Sequence, residues 1–248
     1  MTQKRIIEAT QRRAEIMVAT LFITCAVVSI PAAFFLDPIL NGPNYLAGIF
    51  PNKSAVVFGA LLWSINNIGL VFIAVYMYPL LKKLDETVAA GYLSLRIIEG
   101  SVMMCGIAAT LMLIPLSREF IEAGAPLNAA QQVLGDSLKQ ARFMGLTLVS
   151  LPILGLGGCI FTWQLIKFNL VPLPISVTGL VGYTLVFTFG VAAWFGVIDP
   201  TPTPGNPATL FAIPVALFEI ILLPYWLFRW GFKMPEIMES KVAAQQIA

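Results

Sequence analysis

One apolar run with two charges inside it constrains this chain more than any other feature. Residues 91–116 are long and apolar enough to cross a bilayer, yet the run contains Arg96 and Glu99. The two residues are three positions apart, so on a helix they share one face and can pair. A single charge in hydrocarbon costs about 2.5 to 3.5 kcal/mol on insertion scales. The pair must therefore face protein or water, which requires other helices around it.

Composition places the whole chain in the membrane class. Of its 248 residues, 58% are hydrophobic and 11% are charged, whereas soluble domains average about 25% charged residues. We predict an all-α integral membrane protein, a bundle of six transmembrane helices with short loops that forms a single domain over residues 1–248. The six predicted crossings are residues 16–36, 54–80, 91–116, 142–165, 175–198 and 208–231.

The placement of the basic residues predicts the orientation. With the N-terminus inside, ten Lys and Arg residues fall in cytoplasmic segments and four fall outside, so the positive-inside rule favours cytoplasmic N- and C-termini. A cysteine at Thr203 would then react with an impermeant reagent from the outside only. Tyr92 is expected in the aromatic belt at the inner interface, and Arg142 is expected to snorkel at the outer interface. We expect a multi-pass protein of the cell inner (plasma) membrane.

Several classes of site are excluded or unsupported. The chain contains no histidine, which excludes axial-histidine haem, histidine-ligated chlorophyll and HExxH zinc chemistry. Cys25, Cys105 and Cys159 lie in apolar runs without CxxC spacing, so we expect buried thiols rather than a metal or redox site. No histidine or lysine base stands within a crossing to activate a serine or threonine. We therefore predict no catalytic residue, no metal and no cofactor, and the partners expected are the lipid bilayer and other membrane protein subunits, not nucleic acid.

The chain resembles a bacterial multi-pass membrane family catalogued as a domain of unknown function (four-three-eight-six). The matching stretches are Leu36-Asp-Pro-Ile-Leu-Asn41, Gly91-Tyr-Leu-Ser-Leu-Arg-Ile-Ile-Glu99, Ser117-Arg-Glu-Phe-Ile-Glu-Ala-Gly-Ala-Pro126, Ala141-Arg142, Pro172-Leu-Pro-Ile-Ser176 and Leu217-Phe-Glu219. The family is similar in carrying a Glu late in its last crossing, often after Gln, where this chain has Phe218. The resemblance implies six helices and brings no activity, cofactor or substrate.

Five polar residues within the crossings are expected at similar depths in the membrane. At a rise of about 1.5 Å per residue, Arg96 lies roughly 8 Å and Glu99 about 12 Å from the inner boundary. Glu219, Asn66 and Asn67 lie near the midplane, about 15 Å from either side by the same rise. We predict that these residues form one intramembrane polar cluster.

This polar cluster is consistent with two functions. As a helix clamp, Arg96 pairs with Glu99 or Glu219 and specifies one helix arrangement, and the chain is then a structural or accessory subunit of a larger membrane complex. Alternatively, one positive and two negative charges leave a surplus carboxylate that holds a proton or binds a ligand. The cluster then binds or moves a small polar solute, proton or cation. In this reading helices broken by proline act as gates, and Pro214 and Pro224 flank Glu219 in the last crossing.

Overall fold

The chain is helical throughout the part that can be described. The computed structural model describes residues 3–124, 129–199 and 208–233, and no β-strand occurs among them. Six helices in these ranges are long and apolar enough to cross a membrane, which confirms the predicted fold class. The predicted outer loop with Thr203 and the tail after residue 233 lie outside the described residues. The orientation of the termini stays a prediction.

The first three crossings are uninterrupted helices, whereas π-helical segments interrupt the fourth and the sixth. The first part of the chain forms α1 (Gln3–Leu40), α2 (Tyr45–Ile49), α3 (Lys53–Leu84) and α4 (Glu86–Glu122). The fourth crossing is built from α5 (Ala129–Phe143), π1 (Met144–Leu148) and α6 (Ser150–Lys167). The fifth is α7 (Leu173–Trp194), and the sixth is built from α8 (Ala208–Ala216), π2 (Leu217–Leu222) and α9 (Leu223–Arg229).

The helix ends differ from those of the predicted crossings, as α1 and α7 illustrate. Helix α1 continues through Pro38 to Leu40, past the predicted end at residue 36. Helix α7 ends at Trp194, four residues before the predicted end at Ile198. The reason lies at Gly196, whose φ of +68° is a left-handed conformation that terminates helices. Its N–H donates to the Ala193 carbonyl at 3.0 Å, which closes the last turn.

The chain divides into two compact units. The first unit comprises Met1–Ile23, Gly69–Ile98 and Leu151–Ala248. The second comprises Thr24–Ile68 and Glu99–Ser150.

In the first unit, glycines allow α6, α7 and the sixth crossing to pack at close range. A Cβ atom at Gly158 would lie 2.1 Å from the Tyr183 ring, and one at Gly155 would lie 2.5 Å from the Phe187 backbone nitrogen. A Cβ atom at Gly182 would similarly lie 2.5 Å from the backbone nitrogen of Val215. Small residues at helix contacts permit this close approach.

Helix α1 fastens the end of the last crossing within the same unit. The Arg12 guanidinium donates to the carbonyl oxygens of Leu227 and Phe228, both at 2.5 Å. These carbonyls belong to the last turn of α9, where a helix leaves acceptors unsatisfied and favours a cation. The buried Glu15 accepts a hydrogen bond from the Phe232 backbone N–H at 3.1 Å. The start of α1 therefore caps α9.

In the second unit, the short helix α2 packs against the end of α4. The Ser117 hydroxyl accepts a hydrogen bond from the Phe50 N–H at 2.8 Å and donates to the Leu46 carbonyl. The apolar core around this contact consists of Leu36, Leu40, Tyr45, Leu46, Ile49, Val56, Leu113 and Leu116. The segment between the first two crossings thus buries the apolar side chains of α2 against protein.

Candidate intramembrane polar site

Glu219 lies in the π-helical segment of the last crossing. Segment π2 begins three residues after Pro214 and ends two residues before Pro224. Because proline has no N–H, Pro224 cannot donate to the carbonyl four residues earlier, which lies inside π2. Single π-helical turns within α-helices occur frequently at functional sites. The sequence predicted a proline-interrupted helix here, and the structure shows the interruption at the acidic residue itself.

The Glu219 carboxylate is held by a tyrosine of α7. The Tyr183 hydroxyl donates to Glu219 Oε1 at 2.5 Å. Tyr183 is completely buried, and its ring lies against Gly158 of α6 and edge-on to Phe218, with 5.9 Å between the two ring centroids. The glycine and the aromatic neighbour together fix the ring, so the hydroxyl is aimed at the carboxylate by packing.

Arg96 supplies the positive charge of this site. Its side chain is 1% exposed, and its Cζ lies 5.6 Å from the centroid of the Tyr92 ring, within the range of a cation–π interaction. Arg96 also interacts electrostatically with Glu219 and with Tyr183. A buried cation requires such compensation, since desolvation of an isolated charge is costly.

Tyr92 is part of the site rather than of the aromatic belt in which it was expected. It is 0% exposed, and it stacks on Phe161 of α6 at a centroid distance of 5.3 Å and an interplanar angle of 19°. The expectation was wrong because the position of a tyrosine along the chain does not show whether its helix face meets lipid or protein.

We name Tyr92, Arg96, Tyr183 and Glu219 the Arg96–Glu219 cluster, and all four belong to the first unit. Three members are fully buried, whereas the Glu219 residue remains partly exposed. The cluster offers one cation, one carboxyl group and two phenolic hydroxyls. Such a set can donate and accept hydrogen bonds and can hold or release a proton at the carboxyl group.

The remaining predicted residues lie in the second unit. Asn66, Asn67 and Glu99 are all buried there, with exposures of 6%, 2% and 2%. Asn67 Nδ2 donates to the Gly100 carbonyl at 2.8 Å, while its Oδ1 has no hydrogen-bond partner among the described residues. The Asn66 backbone carbonyl accepts a hydrogen bond from the Cys25 thiol, with 3.4 Å between sulfur and oxygen. Arg96 and Glu219 thus lie in the first unit and interact electrostatically, and the single layer of all five residues stays a prediction.

Two further buried polar groups of the first unit were missed by sequence reasoning. Gln164 on α6 is 4% exposed and Ser176 on α7 is 0% exposed. Neither Gln164 Oε1 nor Ser176 Oγ has a hydrogen-bond partner among the described residues. Tyr183 was missed as well. The available signal for Tyr183 was its hydroxyl in the middle of an apolar run, about as deep as Glu219.

Arg142 forms an ion pair that was not predicted. In the second unit its Nη2 lies 3.1 Å from Asp37 Oδ1, and its side chain is 17% exposed. Depth alone did not predict this partner, because Asp37 lies on α1, far from Arg142 in the sequence, and snorkelling at the outer interface stays a prediction. The pair also joins two of the stretches on which the family resemblance rests, Leu36–Asn41 and Ala141–Arg142.

The three cysteines differ in burial more than was expected. Cys25 is buried, Cys159 is intermediate and Cys105 is exposed, and none of the three forms a disulfide. Burial of every thiol was therefore a wrong expectation, because in a membrane helix an apolar run includes a face that is turned away from the protein. Among the described residues, no group of His, Cys, Asp and Glu could hold a metal ion.

Comparison with known protein families shows to which family the chain belongs. The family model described as domain of unknown function DUF4386 matches residues 17–230. The chain belongs to the DUF4386 family. The match includes every member of the Arg96–Glu219 cluster and confirms the resemblance seen in the sequence. No match was found among curated proteins or among solved structures.

Proposed function

We propose that this DUF4386 protein binds and releases a proton at Glu219, alone or together with a small polar solute or cation. The observation that carries this proposal is the hydrogen bond from the buried Tyr183 hydroxyl to Glu219 within π2. Six apolar helices support a multi-pass membrane protein. An inner-membrane location with cytoplasmic termini rests on the family resemblance and on the distribution of basic residues.

Two neighbours of Glu219 can stabilise the ionised form of its carboxyl group. Arg96 provides a compensating charge within the same cluster. The 2.5 Å distance from Tyr183 Oη to Glu219 Oε1 also lies in the range of about 2.5–2.7 Å found when a hydroxyl donates to a carboxylate. Protonation would weaken both interactions, so a proton taken up at Glu219 changes the contacts that hold π2.

Two features support exchange of that proton rather than a fixed clamp. Part of the surface of residue Glu219 is left uncovered by the other described residues, unlike the three other members of the cluster. Its helix is also interrupted by Pro214, π2 and Pro224, and broken helices of this kind form the ion and substrate sites of many transporters. Rearrangement of π2 after protonation would open the site on one side.

The test measures the carboxyl stretch of Glu219 and the passage of protons in the same preparations. We expect a protonated carboxyl band that disappears as the pH rises, in difference infrared spectra of wild type but not of Glu219→Gln. Protein in liposomes containing a pH-sensitive dye should conduct protons at least about tenfold faster than Glu219→Gln, which matches a barrier difference of about 1.4 kcal/mol. Glu122→Gln is the matched control, since Glu122 is exposed and pairs with Arg118 at the surface.

An infrared band that persists unchanged to high pH would contradict proton exchange. Equal proton flux through wild type and Glu219→Gln would contradict it as well, provided both variants keep the same melting temperature.

The second candidate is a structural or accessory subunit of a larger membrane complex. The complete burial of Arg96 and Tyr183, together with the close glycine contacts of the first unit, favours it. In this case Glu219→Gln should be silent in both assays, and the chain should co-purify with other membrane proteins at a fixed stoichiometry. Isolation of a stable monomer would count against this second candidate.

A further inference from the structure

We propose that a groove between the start of α1 and the end of α3 binds one anionic phospholipid. In this proposal, the headgroup phosphate lies between Arg13 and Lys83 and an acyl chain follows the apolar part of the groove. The proposal is independent of the function proposed for Glu219.

The groove has the size and the lining of a lipid site. It lies wholly within the first unit and encloses about 820 Å³, inside the range of about 300 to 1,000 Å³ of ligand pockets. Its walls are mainly apolar, and they include Ile16, Met17, Val75 and Pro79. Arg13 and Lys83 also line it. An apolar channel with cations on its lining matches the two chemical parts of an anionic phospholipid.

The two cations that line the groove differ from their neighbours in the sequence, which already bind protein groups. Arg12, the neighbour of Arg13, is engaged with the last turn of α9. Lys82, the neighbour of Lys83, pairs with Glu86 at 2.8 Å. Arg13 and Lys83 are exposed and make neither an ion pair nor a side-chain hydrogen bond with any other described residue. They remain available for an external anion.

The position of the groove along the helices fits a headgroup rather than a soluble anion. Arg13 precedes the predicted first crossing by three residues, and Lys83 follows the predicted second crossing by three. At a rise of about 1.5 Å per residue, both cations lie about 4 to 5 Å outside the hydrocarbon. Basic pockets between transmembrane helices at this depth bind anionic headgroups. A free phosphate would leave the apolar walls without a ligand.

The test titrates the full-length protein in detergent with phosphatidylglycerol and follows bound lipid by native mass spectrometry. Each cation near a membrane surface strengthens the binding of an anionic lipid. We therefore expect the double variant with Arg13→Gln and Lys83→Gln to bind phosphatidylglycerol about 30-fold more weakly. Lys82→Gln is the matched control and should change binding less than about twofold, because Lys82 is outside the groove lining. Ala14→Trp, which fills the groove and retains both cations, should also weaken phosphatidylglycerol binding.

Separate measurements distinguish the lipid from a free anion. Phosphatidylcholine should bind clearly less tightly than phosphatidylglycerol, and glycerol phosphate at equal concentration should not displace the lipid. Equal binding of the two lipids, displacement by glycerol phosphate, or unchanged affinity in the double variant or in Ala14→Trp would each overturn the proposal. Melting temperatures of the variants serve as the check on folding.

Discussion

Each unit contains a tyrosine that donates a hydrogen bond to a carboxylate, but the surroundings differ. In the second unit, Tyr45 donates to Asp136 Oδ1 at 2.7 Å, and Asp136 is exposed. Burial, together with this bond, raises the pKa of Tyr45 well above its ordinary value, so the hydroxyl remains a donor. In the first unit, the buried Tyr183 donates to Glu219 within the membrane-spanning part of the chain. The same kind of bond fastens α2 to α5 in one unit and holds an intramembrane acid in the other.

The two π-helical segments show a parallel contrast. In π1, Gly145 packs so closely on α4 that a Cβ atom there would lie 2.7 Å from the backbone nitrogen of Gly106. In π2, the segment instead carries Glu219 towards Tyr183. A π-helical turn therefore serves helix packing where it presents a glycine, and a polar site where it presents a carboxylate. The residue at the turn decides which of the two results.

The largest expected effect comes from removing the buried cation of the first unit. Arg96→Ala should lower the free energy of unfolding by about 3 to 5 kcal/mol, because it leaves a carboxylate in the cluster without its compensating charge. Arg142→Ala, in the second unit, should cost less than about 1 kcal/mol, since its partner Asp37 is 41% exposed. Chemical unfolding in detergent micelles measures both.

Combining Arg96→Leu with Glu219→Gln should recover part of the stability that Arg96→Leu loses alone. Equal losses for Arg96→Ala and Arg142→Ala would remove the contrast between the two units.

The next effect tests whether π1 is a packing device. Gly145→Ala should destabilise the protein by about 3 kcal/mol, because the new methyl group meets backbone atoms that cannot rotate away. Gly157→Ala is the matched control, since its nearest neighbour would be the Leu95 Cβ at 3.7 Å, and it should change stability by less than about 0.5 kcal/mol. Thermal unfolding of the two variants decides the point, and a stable Gly145→Ala protein would contradict it.

The smallest effect distinguishes the two tyrosines. Tyr183→Phe should cost about 2 kcal/mol, because a hydrogen bond to a charged and partly buried acceptor is lost. Tyr45→Phe should cost less than about 1 kcal/mol, since water can replace the donor at the exposed Asp136. Unfolding free energies measure both, and the infrared band of Glu219 should shift only in Tyr183→Phe. A shift in neither variant would mean that Tyr183 does not influence the carboxylate.

Much of the fold could be read from the sequence because hydropathy and length are properties of single segments. A run such as residues 91–116 must cross the bilayer or be buried, whatever the other helices do. Helix ends were less accurate because they depend on backbone conformation at single residues. Gly196, in its left-handed conformation, ended α7 four residues before the apolar run itself ended.

The candidate site was predicted in part, for a related reason. A charge in hydrocarbon is costly enough to be recognised from one segment, so Arg96 and Glu219 were identified from the sequence. Their partners were not, because Tyr92 and Tyr183 are tolerated in either lipid-facing or buried positions. Only the rotation of each helix shows which of its faces meets protein.

The sequence by itself thus determined the number of crossings, the presence of charges within them and the proline interruption around Glu219. The tertiary structure decided which groups meet. It placed Tyr183 against Gly158 and its hydroxyl on Glu219, and it paired Arg142 with Asp37. The physical reason is that the cost of transfer into a membrane acts on each residue separately, whereas partner choice depends on close approach between helices that are distant in the chain.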